Sequence, residues 1–239
     1  LEGLKPQNFK GFADKITPYK LLEQKKTSHD SFFQGNMVGR QKELARLKRC
    51  LKSIKDDKFG GIVYVYGNPG IGKSRLIYEL THQEGILTLT MQTDSILKGS
   101  LNPFSYFFKH YFEQSKATLH QDRKGIFQTI YQKFIQQVET GLIEDERLES
   151  IVKNLYRIES IIGAIIGLEW EGSIYSMIEG KDRPVVTQFA IKDFITTLSL
   201  LEPVILHIED IQWLDDESQK VFEILTRMID DYPLLLRAS

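Results

Sequence analysis

Apolar and polar positions alternate along this chain in two distinct rhythms. Leu44, Leu47, Leu51 and Ile54 recur at three- and four-residue spacing and predict a helix from Gln41 to Ile54. Gly60-Gly61 then punctuates the chain. Ile62-Val63-Tyr64-Val65-Tyr66 follows as a compact β-rich run without polar alternation, the pattern of a strand buried in a parallel sheet. A helix from Lys73 to about Gln83 and a second strand over Ile86–Met91 come next. A long helical stretch begins at Pro103. Phe104, Phe107, Phe108, Tyr111 and Phe112 form an aromatic stripe, continued by Phe127, Ile130, Tyr131, Phe134, Ile135 and Val138. Leu148 to Ile158 repeats the pattern, and Ile161 to Ile166 is interrupted by Gly163 and Gly167. A further block, Thr187 to Leu200, leads to the strand Val204-Ile205-Leu206-His207-Ile208. A helix over Ser218–Ile229, a turn at Asp231-Tyr232-Pro233 and a strand opening at Leu234 complete the series. Strands alternating with helices predict an α/β fold, a largely parallel sheet with helices on both faces and a long helical insertion.

The aromatic stripes are core packing in this reading. Before Gln41 the pattern weakens. Ile16, Pro18, Tyr19 and Leu21 suit an edge strand, and the polar run from Glu23 to Asn36 reads as a linker.

Candidate chemistry lies at strand ends. Gly67-Asn68-Pro69-Gly70-Ile71-Gly72-Lys73-Ser74 fits G-x-x-x-x-G-K-S between a strand and a helix, which makes it a phosphate-binding P-loop. Its glycines let the backbone wrap phosphate oxygens, and the helix amino-terminus presents N–H donors and a positive dipole end. Lys73 suits the β- and γ-phosphates, and the Ser74 hydroxyl suits Mg²⁺. Glu209 and Asp210 end an apolar strand, where open α/β sheets place ligand groups. We assign Glu209 to the metal and Asp210 to the attacking water; a cation gives two adjacent carboxylates a reason to coexist. Lys73, Glu209 and Asp210 are thus the candidate catalytic residues, and Ser74 and Glu209 the candidate metal ligands. Asp215 or Asp216 suits the cap of the following helix. Trp213 reads as a packed anchor, and His207, alone in its strand, as a residue of the sheet.

Composition adds boundaries. A formal net charge of -1 gives no reason to expect nucleic acid or an anionic membrane as partner. No uninterrupted apolar run reaches the ~20 residues of a membrane span. One cysteine, Cys50, excludes an intrachain disulfide framework, and the five histidines show no metal-ligand spacing. A cytoplasmic location follows as the default. The chain opens at Leu1 without methionine and closes at Ser239 directly after an apolar run, which we read as an excerpt of a longer protein.

Three segments together resemble one family. Val38-Gly39-Arg40 followed by Glu43-Leu44 looks like the entrance to AAA-type ATPases; Gly67 to Ser74 with Arg75-Leu76 is similar to their phosphate loop; and Ile208 to Ser218 resembles the "D-D-x-H-W-x-D-x-x-S" segment of the signal-transduction STAND ATPases. Such modules are fused to class III nucleotide cyclases and kinases. The resemblance implies ATP and Mg²⁺ as ligands, with Val38 and Gly39 on the adenine side, Arg40 and Arg75 near the nucleotide, and Ser239 near the strand tip that senses the γ-phosphate. Glu209 stands where aspartate is usual and Gln212 where histidine is usual. The segment Lys10-Gly11-Phe12 through Pro18-Tyr19-Lys20-Leu21-Leu22 resembles the closing strand of a class III cyclase domain. The implied organisation is a cyclase edge over residues 1–22, a linker over 23–36, and a P-loop ATPase domain over 37–239. The implied function is an ATP-binding, slowly hydrolysing regulatory module of a multidomain signalling protein. Its partners would be a covalently attached effector such as an adenylyl cyclase and a protein docked through the helical insertion. The alternatives are a nucleotide-binding scaffold without hydrolysis and the ATPase module of a transcription regulator.

Overall fold

The computed structural model describes residues 2–12, 14–20, 35, 37–68, 70–81, 85–93, 99–114 and 120–239. The chain divides into two compact units, Leu1–Val38 and Gly39–Ser239.

In the first unit, β1 (Glu2–Gly3) pairs antiparallel with β2 (Tyr19–Lys20), and a single bridge joins Gln7 to Ile16. Leu21 and the expected linker, apart from Gly35, lie outside the described residues.

The second unit opens with α1 (Gln41–Lys55), β3 (Gly61–Tyr64), α2 (Lys73–Thr81) and β4 (Leu87–Gln92). The insertion follows as α3 (Asn102–Tyr111), α4 (His120–Gly141), α5 (Leu148–Ile165), α6 (Ile174–Met177) and α7 (Arg183–Leu201). β5 (Val204–Glu209), a 3₁₀ turn at Ile211–Trp213, α8 (Asp216–Leu225) and β6 (Leu234–Ala238) close it. The four strands form one parallel sheet in the order β3-β6-β5-β4. Connections between parallel neighbours need a crossover, which the helices supply.

Register fixes which side chains share a face, because side chains alternate along a strand. Leu234 and Leu236 on β6 face the same way as Val204 and Leu206 on β5 and as Leu89 and Met91 on β4, in one buried cluster with the helical insertion and Val221 and Leu225 of α8. Leu235 faces the opposite layer. Gly60 is wedged there between Leu235 and α1, where an added Cβ would sit 2.8 Å from Ile54 and 3.2 Å from Leu235. The central strands β6 and β5 are therefore buried on both faces, whereas the edge strands each leave one face open. Thr90 and Gln92 of β4 are exposed, and so are Ile62 and Tyr64 of β3, where the apolar run predicts a buried strand.

The insertion is the main core. Phe194 of α7 is fully buried and lies among Phe108, Tyr111, Phe112, Tyr131 and Phe134, with ring centroids 4.7–6.2 Å away. α7 is buried on most sides, and its Thr196, Thr197 and Ser199 hydroxyls satisfy themselves on backbone carbonyls of the preceding turn. The Tyr131 hydroxyl donates to the Leu155 carbonyl at 2.8 Å, tying α4 to α5.

Local differences from the sequence pattern have physical causes. α5 runs through Gly163, because the missing side chain makes room for the Trp170 ring; a Cβ there would lie 3.0 Å from it. The helix runs on to Ile165, and Gly167 just beyond its cap terminates it at φ +76°. α8 begins at Asp216, two residues before the expected Ser218, and ends at Leu225, short of Ile229. β3 ends at Tyr64, so Val65 and Tyr66 already belong to the approach to the phosphate loop. Among the described residues no helix is long and apolar enough to cross a membrane.

Candidate functional site

The carboxyl ends of β3, β6 and β5 meet at one end of the sheet. Val65 N–H donates to Ala238 O at 2.9 Å, Ser239 N–H donates to Ile208 O at 3.0 Å, and Ile211 N–H donates to Ser239 O at 3.3 Å. These bonds carry the strand alignment past the strand ends, so that the loop after β3 and the acidic pair at the tip of β5 emerge on the same rim, with Ser239 between them.

The loop from Gly67 to Gly72 turns on glycines in the left-handed region, Gly70 at φ +77° and Gly72 at φ +94°, which side chains rarely adopt. Pro69 lies outside the described residues. Lys73 Nζ donates to Gly67 O at 3.0 Å and to Asn68 O at 3.3 Å, so the lysine is folded over the loop that precedes it. Ser74 is exposed in the first turn of α2. Arg75 is turned along its own helix, donating through Nε to Glu79 at 2.9 Å, with its guanidinium 5.7 Å from the Tyr78 ring.

Arg40 reaches the loop from the other side. It occupies the left-handed region at φ 61° ahead of α1, and its Nη2 donates to Ile71 O at 3.1 Å while Nη1 pairs with Glu43 at 3.1 Å. The Glu43 carboxyl is held below its ordinary range, first by a backbone N–H and then by Arg40. Arg40, Ile71, Gly72 and Lys73 together border a cleft of about 580 Å³ that α1 and β3 complete. Val38 is 93% exposed and belongs to the first unit; Gly39 opens the second.

At the acidic tip the Glu209 carboxylate is 47% exposed and lies 3.7 Å from His207 Nε2. Asp210 sits in the left-handed region at φ 56°, a conformation that aspartate tolerates better than most residues. The Thr93 hydroxyl, from the end of β4, donates to Asp210 O at 2.6 Å and shares its hydrogen with Glu209 O at 3.0 Å, which fixes this turn. Gln212 Nε2 donates to Asp210 Oδ1 at 3.0 Å. Where the resemblance expects an imidazole, a neutral amide therefore holds the second carboxylate. Asp215 takes the α8 cap: Oδ1 accepts from Ser218 N at 3.0 Å and Oδ2 from the Ser218 hydroxyl at 2.6 Å. Oδ1 also accepts Leu101 N–H at 3.0 Å, tying the start of α3 to the acidic tip.

The profile of a known family, described as AAA ATPase domain, matches residues 36–236. The chain belongs to the AAA ATPase domain family. That membership agrees with the parallel α/β sheet and the phosphate loop of this nucleotide-binding ATPase module. No curated protein and no solved structure matches the chain.

Three parts of this AAA ATPase rim escaped sequence reasoning. Thr93 had no periodicity to mark it. The Arg40–Ile71 contact spans thirty-one positions and is set by folding alone. Arg237, directly after the Leu234–Leu236 run, is fully buried, with Nε donating to His207 Nδ1 at 3.0 Å. Its charge in an otherwise apolar strand was the available signal.

Proposed function

We propose that the Gly67–Ser74 loop, with Glu209 and Asp210, binds Mg·ATP and hydrolyses it slowly, as the regulatory module of a multidomain signalling protein of the STAND type. The observation that carries this is the shared rim: a glycine loop with a lysine and a serine at a helix amino-terminus, aligned through β6 with a two-carboxylate tip.

The donor set fits Mg²⁺ brought in by a triphosphate. Among the described residues no group of three or more His, Cys, Asp or Glu forms a cation cage. One hydroxyl, Ser74, and one half-exposed carboxylate, Glu209, suit an ion that keeps waters and phosphate oxygens as its other ligands. Bound there, the ion would neutralise phosphate charge. The loop amides and Lys73 would orient the phosphates, and Asp210, steadied by Gln212, would position or deprotonate the attacking water. Arg40 would brace the loop through the Ile71 carbonyl, with Val38 and Gly39 on the base side. Asn68, Pro69, Gly70 and Gly72 complete the phosphate wrap, with Arg75 at its edge.

The effector we propose is covalently attached, a nucleotide cyclase being supported by the resemblance of residues 1–22, with residues 23–36 as the linker to the ATPase domain over 37–239. Exposed apolar side chains on the insertion, Val185 and Phe189 one turn apart on α7, support a protein partner there. The test is phosphate release. Lys73→Ala and Asp210→Asn should each abolish it; full turnover in either variant overturns the hydrolytic reading. The glutamate at 209 in place of aspartate favours a second reading, nucleotide binding without hydrolysis, in which wild-type protein binds ATP and releases no phosphate.

A further inference from the structure

A row of polar side chains lies on the sheet face that carries α1, one layer below the rim. Register places His207 of β5 beside Arg237 of β6, and Glu209 points to the same face as His207, two residues further along. Arg237 is 1% exposed and His207 3% exposed. A buried cation beside a phosphate site needs a reason, since an ion removed from water loses its solvation and must be matched by other groups. Arg237 Nε donates to His207 Nδ1 at 3.0 Å, while Nη1 and Nη2 have no hydrogen-bond partner among the described residues. Burial lowers its pKa to about 10 and Glu209 opposes that shift, so the guanidinium remains a cation at neutral pH.

The imidazole geometry follows from that bond. A nitrogen that accepts a hydrogen bond carries no proton, so the neutral ring's proton resides on Nε2. Nε2 is the nitrogen that lies 3.7 Å from Glu209 Oε1. Closing this gap to a hydrogen bond of about 2.9 Å requires roughly 0.8 Å of movement by a half-exposed carboxylate.

We propose that Arg237 and His207 are positioning residues that orient the Glu209 carboxylate for the Mg²⁺ of the bound nucleotide. Arg237 fixes the tautomer of His207, and the Nε2–H of His207 holds one carboxylate oxygen so that the other faces the rim. The arrangement has the logic of outer-shell partners, which orient a ligand without touching the ion. The proposal rests on the assignment of Glu209 to the metal site.

The test measures binding of a fluorescent ATP analogue, in EDTA and across a Mg²⁺ titration, with thermal melting as the folding control. His207→Leu should raise the half-saturating Mg²⁺ concentration roughly tenfold, while the affinity in EDTA stays within about twofold, because the loop contacts are untouched. His207→Gln keeps an N–H donor and should restore the requirement to near wild type. Arg237→Met should shift it in the same direction as His207→Leu, and the double variant should go no further, as expected for two groups acting in series. An unchanged Mg²⁺ requirement in His207→Leu, equal shifts in His207→Leu and His207→Gln, or additive shifts in the double variant would each overturn the relay. If His207→Leu does not fold, Arg237→Met against His207→Gln decides the question by the same criterion. Glu209→Gln separates the relay from its premise. A wild-type Mg²⁺ requirement in that variant removes Glu209 from the metal site and the relay with it. A shift there without one in the folded His207 and Arg237 variants refutes the relay alone.

Discussion

Replacing Asp215 with alanine removes three hydrogen bonds made by one carboxylate. Two serve the amino-terminus of α8, from Ser218 N and the Ser218 hydroxyl, and one accepts Leu101 N–H at the start of α3. Loss of an amino-terminal cap costs about 1 kcal/mol. Ser218 is fully buried, so its hydroxyl loses a partner without gaining water. The Leu101 N–H is left in a partly buried turn, and each such orphaned group costs roughly 1–3 kcal/mol. The terms overlap, because the turn can relax, and about 3 kcal/mol is the expected total. For a domain of this size, ~2–4 °C of melting temperature per kcal/mol gives a fall of roughly 6–12 °C. Asp215→Asn retains an oxygen for the two backbone N–H groups, and the Ser218 hydroxyl can turn to accept from the new amide. It should lose less than about half as much. Differential scanning fluorimetry on the three proteins is sufficient. A fall under ~2 °C for Asp215→Ala, less than the loss of one ordinary cap, or equal falls for the two variants, would refute the reasoning.

Two further predictions concern the insertion. Phe194→Ala empties the centre of the aromatic cluster and should destabilise the protein by about 3–5 kcal/mol, read by urea unfolding, because the five interlocked rings around it cannot collapse into the space. Burial raises the Asp193 carboxyl above its ordinary range, opposed by a hydrogen bond from Asn154 and by Lys192 and Arg157. A carboxyl whose folded-state pKa is raised favours the folded state while protonated. The stability it confers is full below its unfolded pKa of ~3.9 and is lost as pH rises through the folded value. The stability of wild type relative to Asp193→Asn should therefore decline with rising pH over that window; a flat difference across it contradicts the linkage.

What the sequence made legible was local. Four short β-rich runs and the G-x-x-x-x-G-K-S spacing need only near neighbours to be recognised, and the structure has strands at each run and the loop between β3 and α2. The alternation of elements also pointed to a parallel sheet. What escaped were pairings between strands. Nothing near Thr93 in sequence reveals that its hydroxyl closes onto the Asp210 turn, 117 positions away. Arg237 and His207 meet only because β5 and β6 are neighbours in a particular register. Gly163 reads as a helix break until the Trp170 ring is placed against it. The α8 boundary shifted for a related reason, since Asp215 was one of two plausible caps, and the structure gives the capping bonds from Ser218 to Asp215, which the Leu101 N–H also reaches.

The central claim is that the Gly67–Ser74 loop is a working nucleotide site whose grip depends on Lys73. Calorimetric titration of the intact chain with ATP, with and without Mg²⁺ and in parallel with Lys73→Ala, tests it most directly. Wild-type protein should bind ATP more tightly with Mg²⁺ present. Lys73→Ala should weaken binding by ~10–100-fold, the worth of charge-assisted phosphate contacts at roughly 1.5–3 kcal/mol, with its melting temperature little changed. Equal affinity in wild type and Lys73→Ala, or no ATP binding by folded wild-type protein, would contradict the account.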